Sequence, residues 1–410
     1  MNMENSEQAP LQENTSETKS YSPFLRPVYV LILLFVLLLI IGAYFFTRTL
    51  SKRASESQAT PTGVIQNSQP SASQIEAIPQ VSQIAENLDV PWAIAFLPDG
   101  RMLVTERKGD VIIVNSDGKV ESTPAATLPV KNSGEGGLMG ITLHPQFWTN
   151  HFVYLCYTYA SEGNETRNRV VRMTFENNKL TNETKIVDEI PGALFHNGGR
   201  IKFGPNGLLY ITTGDSQNPS LAQNKDSLAG KILRVTDTGD PAPGNPFNTR
   251  VYSYGHRNPQ SLAWDSSGNL FETEHGPSGD QYGRGMDEIN QIGAGENYGW
   301  PTIRGDMQKD GLVSPLKQST ALTIWAPTGG AIIGSSFFFA GLRGETLYEA
   351  VLVDNQVKEL KTHLVGTYGR LREVIEGPDG MLYVTTSNKD GRGRPASGDD
   401  KILRINPNKL

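Results

Sequence analysis

A histidine and an aspartate separated by one apolar run are the first residues in this sequence that could do chemistry together. His196 lies in Phe195-His196-Asn197-Gly198-Gly199-Arg200-Ile201, and the run that follows ends in Thr213-Gly214-Asp215. A carboxylate placed across a strand from an imidazole can fix its tautomer and support the imidazolium, which makes the pair a general base with an orienting partner. Further polar clusters follow. One is Tyr254-Gly255-His256-Arg257-Asn258-Pro259-Gln260; another begins at Glu274-His275-Gly276-Pro277 and continues through Asp287-Glu288-Ile289-Asn290 to Asn297-Tyr298-Gly299-Trp300-Pro301. Arg370 and Arg372 stand at alternate positions of one stretch, so a strand there turns both to the same side. The one cysteine, Cys156, excludes an intrachain disulfide and a Cys-based zinc or iron–sulfur site, and no Cys-x-x-Cys-His is present to attach a haem.

Such residues need many short elements to hold them. Phe96-Leu97-Pro98-Asp99-Gly100 leads into an apolar run ending at Glu106, and the pattern returns as Phe203-Gly204-Pro205-Asn206-Gly207 leading into a run ending at Thr213. It returns again around Gly268 and around Gly380. The Pro-Asp-Gly or Pro-Asn-Gly turn supplies a residue that tolerates positive φ, and the β-rich run after it suits a buried strand, so each unit reads as a hairpin. Two weaker copies fill the wide gaps: His144-Pro145-Gln146-Phe147 before 152–157, and 341–345 before 347–353. Six units over about 280 residues, a mean period of about 50, predict an all-β, six-bladed β-propeller over residues 81–410. A β-sandwich would need one core of unusual size. The 42 glycines and 25 prolines agree with a fold rich in turns. With 37 Lys+Arg against 43 Asp+Glu, a net charge of −6 and no basic stripe, nucleic acid is not an expected partner.

The N-terminal part is of another kind. Residues 1–27 form a polar tail, and 28–46 read VYVLILLFVLLLIIGAYFF without a charge, long enough to cross most of a hydrocarbon core as a transmembrane helix. No convincing small-x-small cleavage site follows, so the run is expected to remain as an anchor. Residues 47–80, rich in Ser, Ala, Gln, Pro and Thr, are expected to be a flexible linker. Lys19 and Arg26 before the span against Arg48, Lys52 and Arg53 after it give a weak charge bias toward a cytoplasmic propeller, whereas the sequons at Asn164 and Asn182 favour an exported one. The expectation is a single-pass, membrane-anchored protein with its propeller on the extracytoplasmic side.

Taken together, the clusters resemble the soluble quinoprotein glucose/sorbosone dehydrogenases, or aldose sugar dehydrogenases, six-bladed propellers that use pyrroloquinoline quinone (PQQ) and calcium. The resemblance covers about residues 85–407. It rests on Gly134-Glu135-Gly136-Gly137-Leu138-Met139-Gly140, His196-x-x-Gly199-Arg200, Gly255-His256-Arg257-Asn258-Pro259-Gln260, Glu274-His275-Gly276-Pro277, Asn297-Tyr298-Gly299-Trp300-Pro301 and Gly369-Arg370-Leu371-Arg372-Glu373, in the family's order. It implies that His196 is the general base for the anomeric hydroxyl of an aldose, with Asp215 orienting it, and that an external acceptor takes the electrons. It also implies PQQ contacts from Glu135, Arg257, Asn258, Arg343, Arg370 and Arg372. Calcium is implied at the backbone carbonyls of Gly276 and Pro277, and a second, structural calcium at the Glu288 carboxylate and the Tyr298 carbonyl. Two departures stand out. Residues 279–286 are additional where close relatives are shorter, and Glu135 replaces a frequent Gln, placing a carboxylate that needs protonation or an arginine partner beside the cofactor's own. Two other readings remain open from the sequence: a non-catalytic extracellular binding propeller, and a calcium-dependent lactonase.

Overall fold

β-rich runs of about five residues cannot bury themselves alone, and in this chain they are covered by stacking in sheets of four. In the computed structural model, which describes Leu39 and residues 77–410, six four-stranded antiparallel sheets follow one another along the chain. Five are the continuous blades 91–127, 138–191, 201–254, 263–318 and 327–363. The sixth takes three strands from 371–405, and its outermost strand, Val81–Ala85, comes from the other end of the domain and pairs with Ile402–Ile405. That closure ties the two ends together. First strands of neighbouring blades pack side by side around the channel.

Threonines near the ends of the second strands join blade to blade. Thr105 Oγ1 donates to Met139 O at 2.6 Å, Thr273 Oγ1 to Thr328 O at 3.1 Å, and Thr385 Oγ1 to Pro91 O at 3.1 Å. The Arg200 guanidinium is ion-paired with Glu373, which stands on the blade opposite, and lies over the Trp92 ring at 4.3 Å. This buried group divides the channel. Trp92 lines the floor of the space on one side, while Arg200 and Glu373 line a cavity of about 200 Å³ on the other.

The six-unit expectation holds, with one hairpin displaced. The turns at Gly100, His144, Gly207, Gly268 and Gly380 join first to second strands. In the fifth blade that turn is Gly334-Ser335, between paired Ile333 and Ser336, and 341–345 joins the second strand to the third. The Gly334-Ser335 turn has no Pro-Asx-Gly signal, so the sequence pattern settled on the next glycine. The end of the expected linker also differs: Gln80 Nε2 donates to Lys409 O at 2.7 Å and Asn406 Nδ2 to Ile78 O at 3.3 Å, so 78–80 dock on the C-terminal turn. Among the described residues no helix is long and apolar enough to cross a membrane; the expected tail and the anchor at 28–46, apart from Leu39, lie outside them.

Candidate active site

In an antiparallel blade the start of the first strand and the end of the second lie at the same end, so the segments there converge. Those of the second to sixth blades enclose a cavity of about 560 Å³ lined by Glu135, His196, Arg257, Gly276, Arg343 and Arg370, among others.

His196 Nδ1 meets Asp215 Oδ1 at 2.7 Å, and Asp215 is wholly buried. Because the carboxylate accepts, Nδ1 carries the proton, and Nε2, which makes no hydrogen bond among the described residues, presents a lone pair to the cavity. The Gln217 N–H also donates to Oδ1 at 2.8 Å, and the Trp300 indole N–H donates to Oδ2 at 2.8 Å. The backbone approach here is close enough to require glycine: a Cβ on Gly214 would stand 2.0 Å from His196 O. His196 itself holds φ +61, a left-handed conformation that costs a non-glycine residue about 1 kcal/mol or more. Its N–H donates to Glu135 Oε2 at 3.1 Å, which helps hold that geometry.

Glu135 resolves the charge question its position raised. Its other oxygen accepts from Arg392 Nη1 at 3.2 Å. Burial pushes the carboxyl up, but the His275 ring, the His196 N–H and Arg392 outweigh burial and hold it below the usual range. It therefore stands as a paired carboxylate.

The arginines divide into two kinds. Arg257 is buried, donates from Nη1 to His275 O at 3.2 Å, and has an Nε with no partner; Asn258 Nδ2, also buried, has none either. Such orphaned donors are costly unless a ligand meets them. Arg343 is exposed at the cavity rim and makes no ion pair among the described residues. Arg370 is already engaged, with Nε and Nη2 on Asp390 Oδ2 at 2.9 and 2.7 Å and Nη1 on Leu342 O at 3.1 Å. Arg372 lies deeper, donating to Ser387 Oγ at 3.0 Å with Asp390 Oδ2 at 3.6 Å; burial lowers it to about 10. The expected pair thus shares one carboxylate, which burial raises but Arg370 and Arg372 hold below its ordinary value.

The expected metal ligands lie beside a knot of buried acids. Glu288 accepts from the Gly305 N–H at 2.7 Å, and burial, with Glu274 nearby, pushes it up to about 8. Glu272 is likewise pushed well up by burial and Glu274, and its Oε2 has no partner. His256 completes a group with Glu272 and Glu274 whose ligand atoms lie within 4.8 Å of one another. Glu288, Tyr298, Gly276 and Pro277 line one small cavity together. The additional residues form a rim hairpin, Ser278–Asp280 against Gly283–Arg284. Gly276 is needed where that hairpin returns, since a Cβ would meet Gly285 O at 2.1 Å. The Pro277 carbonyl accepts from Gly285 N at 3.0 Å, so one of its lone pairs is taken.

Sequence reasoning missed Asp390, Arg392 and the structural part of Asp287. The last accepts from Gly276 N, Ser319 Oγ, Trp325 N and Ala326 N at 2.7–3.1 Å and so gathers three segments of the rim. Asp390 had one signal: like Asp215, it follows the second strand of its blade.

Residues 88–395 match the Glucose / Sorbosone dehydrogenase family. The aldose sugar dehydrogenase YliI of Escherichia coli is 31% identical over 80% of this chain and 92% of its own length. The solved structure of an oxidoreductase (glucose dehydrogenase) from Thermus thermophilus is 45% identical, with a TM-score of 0.75 over 79% of this chain and 98% of that one. The PQQ-bound form of the aldose sugar dehydrogenase from Streptomyces coelicolor is 40% identical, with a TM-score of 0.73 over 80% of this chain and 99% of that one.

Proposed function

The chain belongs to the glucose/sorbosone dehydrogenase family of quinoprotein sugar oxidoreductases, and from that premise we propose that it oxidises aldoses at the anomeric carbon to lactones with PQQ and calcium. The observation that carries the reading is the His196–Asp215 pair at 2.7 Å on the wall of the cavity, with Nε2 free to accept a proton. His196 Nε2 takes the proton of the anomeric hydroxyl, and the Asp215 carboxylate stabilises the imidazolium that forms. Loss of that proton builds alkoxide character on the sugar, which drives hydride off the anomeric carbon. PQQ, when bound, supplies the quinone that accepts the hydride. Arg257 fits such a polycarboxylate from the cavity wall and Arg343 meets it from the rim, whereas Asn258, expected as a contact, is fully buried and lines no part of that cavity, so it would support the cofactor site from behind. Arg370 is held at 2.7 Å by Asp390, whose side chain is buried, whereas Arg257 meets only the exposed Asp280 at 3.9 Å, so the contribution of Arg370 to cofactor charge is smaller than that of Arg257. Gly276 and Pro277 would offer calcium their carbonyls, and Glu288 with the Tyr298 carbonyl a second calcium, whose charge relieves the crowded acids.

The test is reduction of an artificial dye by the full chain with aldose, PQQ and calcium. Turnover that needs PQQ supports the reading; lactone hydrolysis with calcium alone would replace it with a lactonase, and neither activity would favour the binding propeller. Arg257→Ala should weaken PQQ binding roughly tenfold or more, read by equilibrium titration. The same proposal places the propeller outside the cytoplasm on its 28–46 anchor, passing electrons to an external acceptor. Asn164 and Asn182 are both exposed. Protease shaving of intact cells would remove the propeller if that placement is right and spare it if not.

A further inference from the structure

The mechanism leaves one buried ring unassigned. Trp300 is 4% exposed, its N–H donates to Gly255 O at 2.9 Å, and its carbonyl accepts from Gln223 Nε2 at 2.7 Å, so its backbone is clamped from two sides. Its indole makes three further contacts of different character. The Nε1–H donates to Asp215 Oδ2 at 2.8 Å. The Arg257 guanidinium lies 5.4 Å from the ring centroid, and the Tyr282 ring, on the rim hairpin, lies 4.8 Å away at 58°.

Asp215 distributes its partners unevenly. Oδ1 receives both the imidazole and the Gln217 N–H, whereas Oδ2 receives only the indole. In a wholly buried carboxylate an oxygen stripped of its donor is penalised, and rotation about Cβ–Cγ to share the remaining donors would pull Oδ1 off the imidazole. We propose that Trp300 is a positioning residue for the His196–Asp215 pair, its indole N–H fixing the carboxylate so that Nδ1 stays engaged and Nε2 stays turned to the cavity. The inference rests on His196 being the base. It goes further in giving the Asn297-Tyr298-Gly299-Trp300-Pro301 segment a part in proton transfer as well as in metal binding. Tyr282 packs against the indole from the rim, so the additional hairpin touches the ring that holds Asp215.

The experiment uses Trp300→Phe in the full chain, which keeps an aromatic ring and removes the N–H. In the PQQ-free protein, the downfield Nδ1–H proton resonance of His196, assigned by its absence in His196→Gln, should move or broaden. With PQQ and calcium, kcat should fall roughly tenfold while aldose KM and PQQ affinity stay within about twofold. The acid limb of kcat/KM should move to lower pH, because a carboxylate that has turned away from Nδ1 supports the imidazolium less. An unmoved resonance with unchanged kcat overturns the proposal. Equal losses in PQQ affinity, KM and kcat also overturn it, since they describe a ring that only packs. Should Trp300→Phe fail to fold, the indole N–H resonance of wild-type Trp300 supplies the decision: Asp215→Asn must shift it, and an unshifted signal refutes the contact. A wild-type chain without PQQ-dependent turnover would sink the dehydrogenase reading while leaving both resonance measurements interpretable.

Discussion

The two ends of the propeller channel are built on opposite plans. At one end the first and second strands meet in tight turns in every blade but the second, such as Pro98-Asp99-Gly100 and Pro205-Asn206-Gly207, whose backbone hydrogen bonds stay within four residues: Gly100 N to Leu97 O, Gly207 N to Gly204 O, Gly380 N to Gly377 O. At the other end the loops are held by partners far along the chain. Trp300 reaches Asp215 across 85 residues, and Arg392 reaches Glu135 across 257. Local turns repeat because each blade needs the same reversal. The site end cannot repeat, because five of the blades each contribute different groups to one cavity. Glycines show the same contrast: a Cβ on Gly207 would meet nothing within 4 Å, whereas one on Gly214 would strike the His196 carbonyl.

The largest effect that separates the ends is on chemistry. His196→Ala should lower kcat/KM for aldose oxidation by about 10²–10⁴-fold while PQQ titration changes little. Retention of wild-type turnover would remove His196 from the mechanism and leave the site end with no more chemistry than the turn end.

The second prediction concerns the group that keeps the ends apart. Glu373→Ala strands Arg200 as an unpaired buried cation beside an Nη2 that already lacks a partner, and should destabilise the fold by about 3–5 kcal/mol. Glu373→Gln, which keeps an acceptor, should lose less. Equal denaturation midpoints for the two variants would show that the acceptor retained by Gln contributes nothing and that the loss comes from the missing charge.

These contrasts explain which parts of the structure could be read from the sequence. The turn end was legible because Pro-Asx-Gly followed by a β-rich run is a complete local signal. It failed only at Gly334-Ser335, where two residues turn the chain without that signature. His196 and Asp215 were legible as a pair within one repeat unit, although two strands, not the single one expected, separate them: they flank the hairpin of Ile201–Phe203 and Leu209–Thr213, whose reversal brings its two ends together. Asp390, Arg392 and the indole contact of Trp300 were not, since their partners lie 20, 257 and 85 residues away and no spacing rule links them. The arginines were identified by type, but type alone could not distinguish Arg257, with a free Nε, from Arg370, already neutralised by Asp390.

A third prediction tests the acids beside the site. Glu288 is raised from the usual carboxylate range to about 8 by burial and Glu274, so in calcium-free protein the folded state holds a proton that the unfolded chain has lost. Stability should therefore fall as pH rises from about 5 through 8, the reverse of a salt-bridged carboxylate. Added calcium should restore the melting temperature most at the alkaline end of that window. Glu288→Gln should flatten the pH dependence and blunt the response to calcium; an unaltered response would place the metal elsewhere.

The smallest effect belongs to the turn end. Gly207 holds φ +73 in open space, so Gly207→Ala meets no clash and carries only the left-handed penalty, about 1 kcal/mol. Melting should drop by a few degrees or less, with kcat and KM unchanged, because the turn lies at the opposite end of the channel from His196. Gly214→Ala is the matched change at the site end, where the same methyl must displace backbone and should abolish turnover. A Gly207→Ala variant that lost activity at full stability would mean that the two ends communicate through the buried Arg200–Glu373 pair, and the division drawn between them would fail.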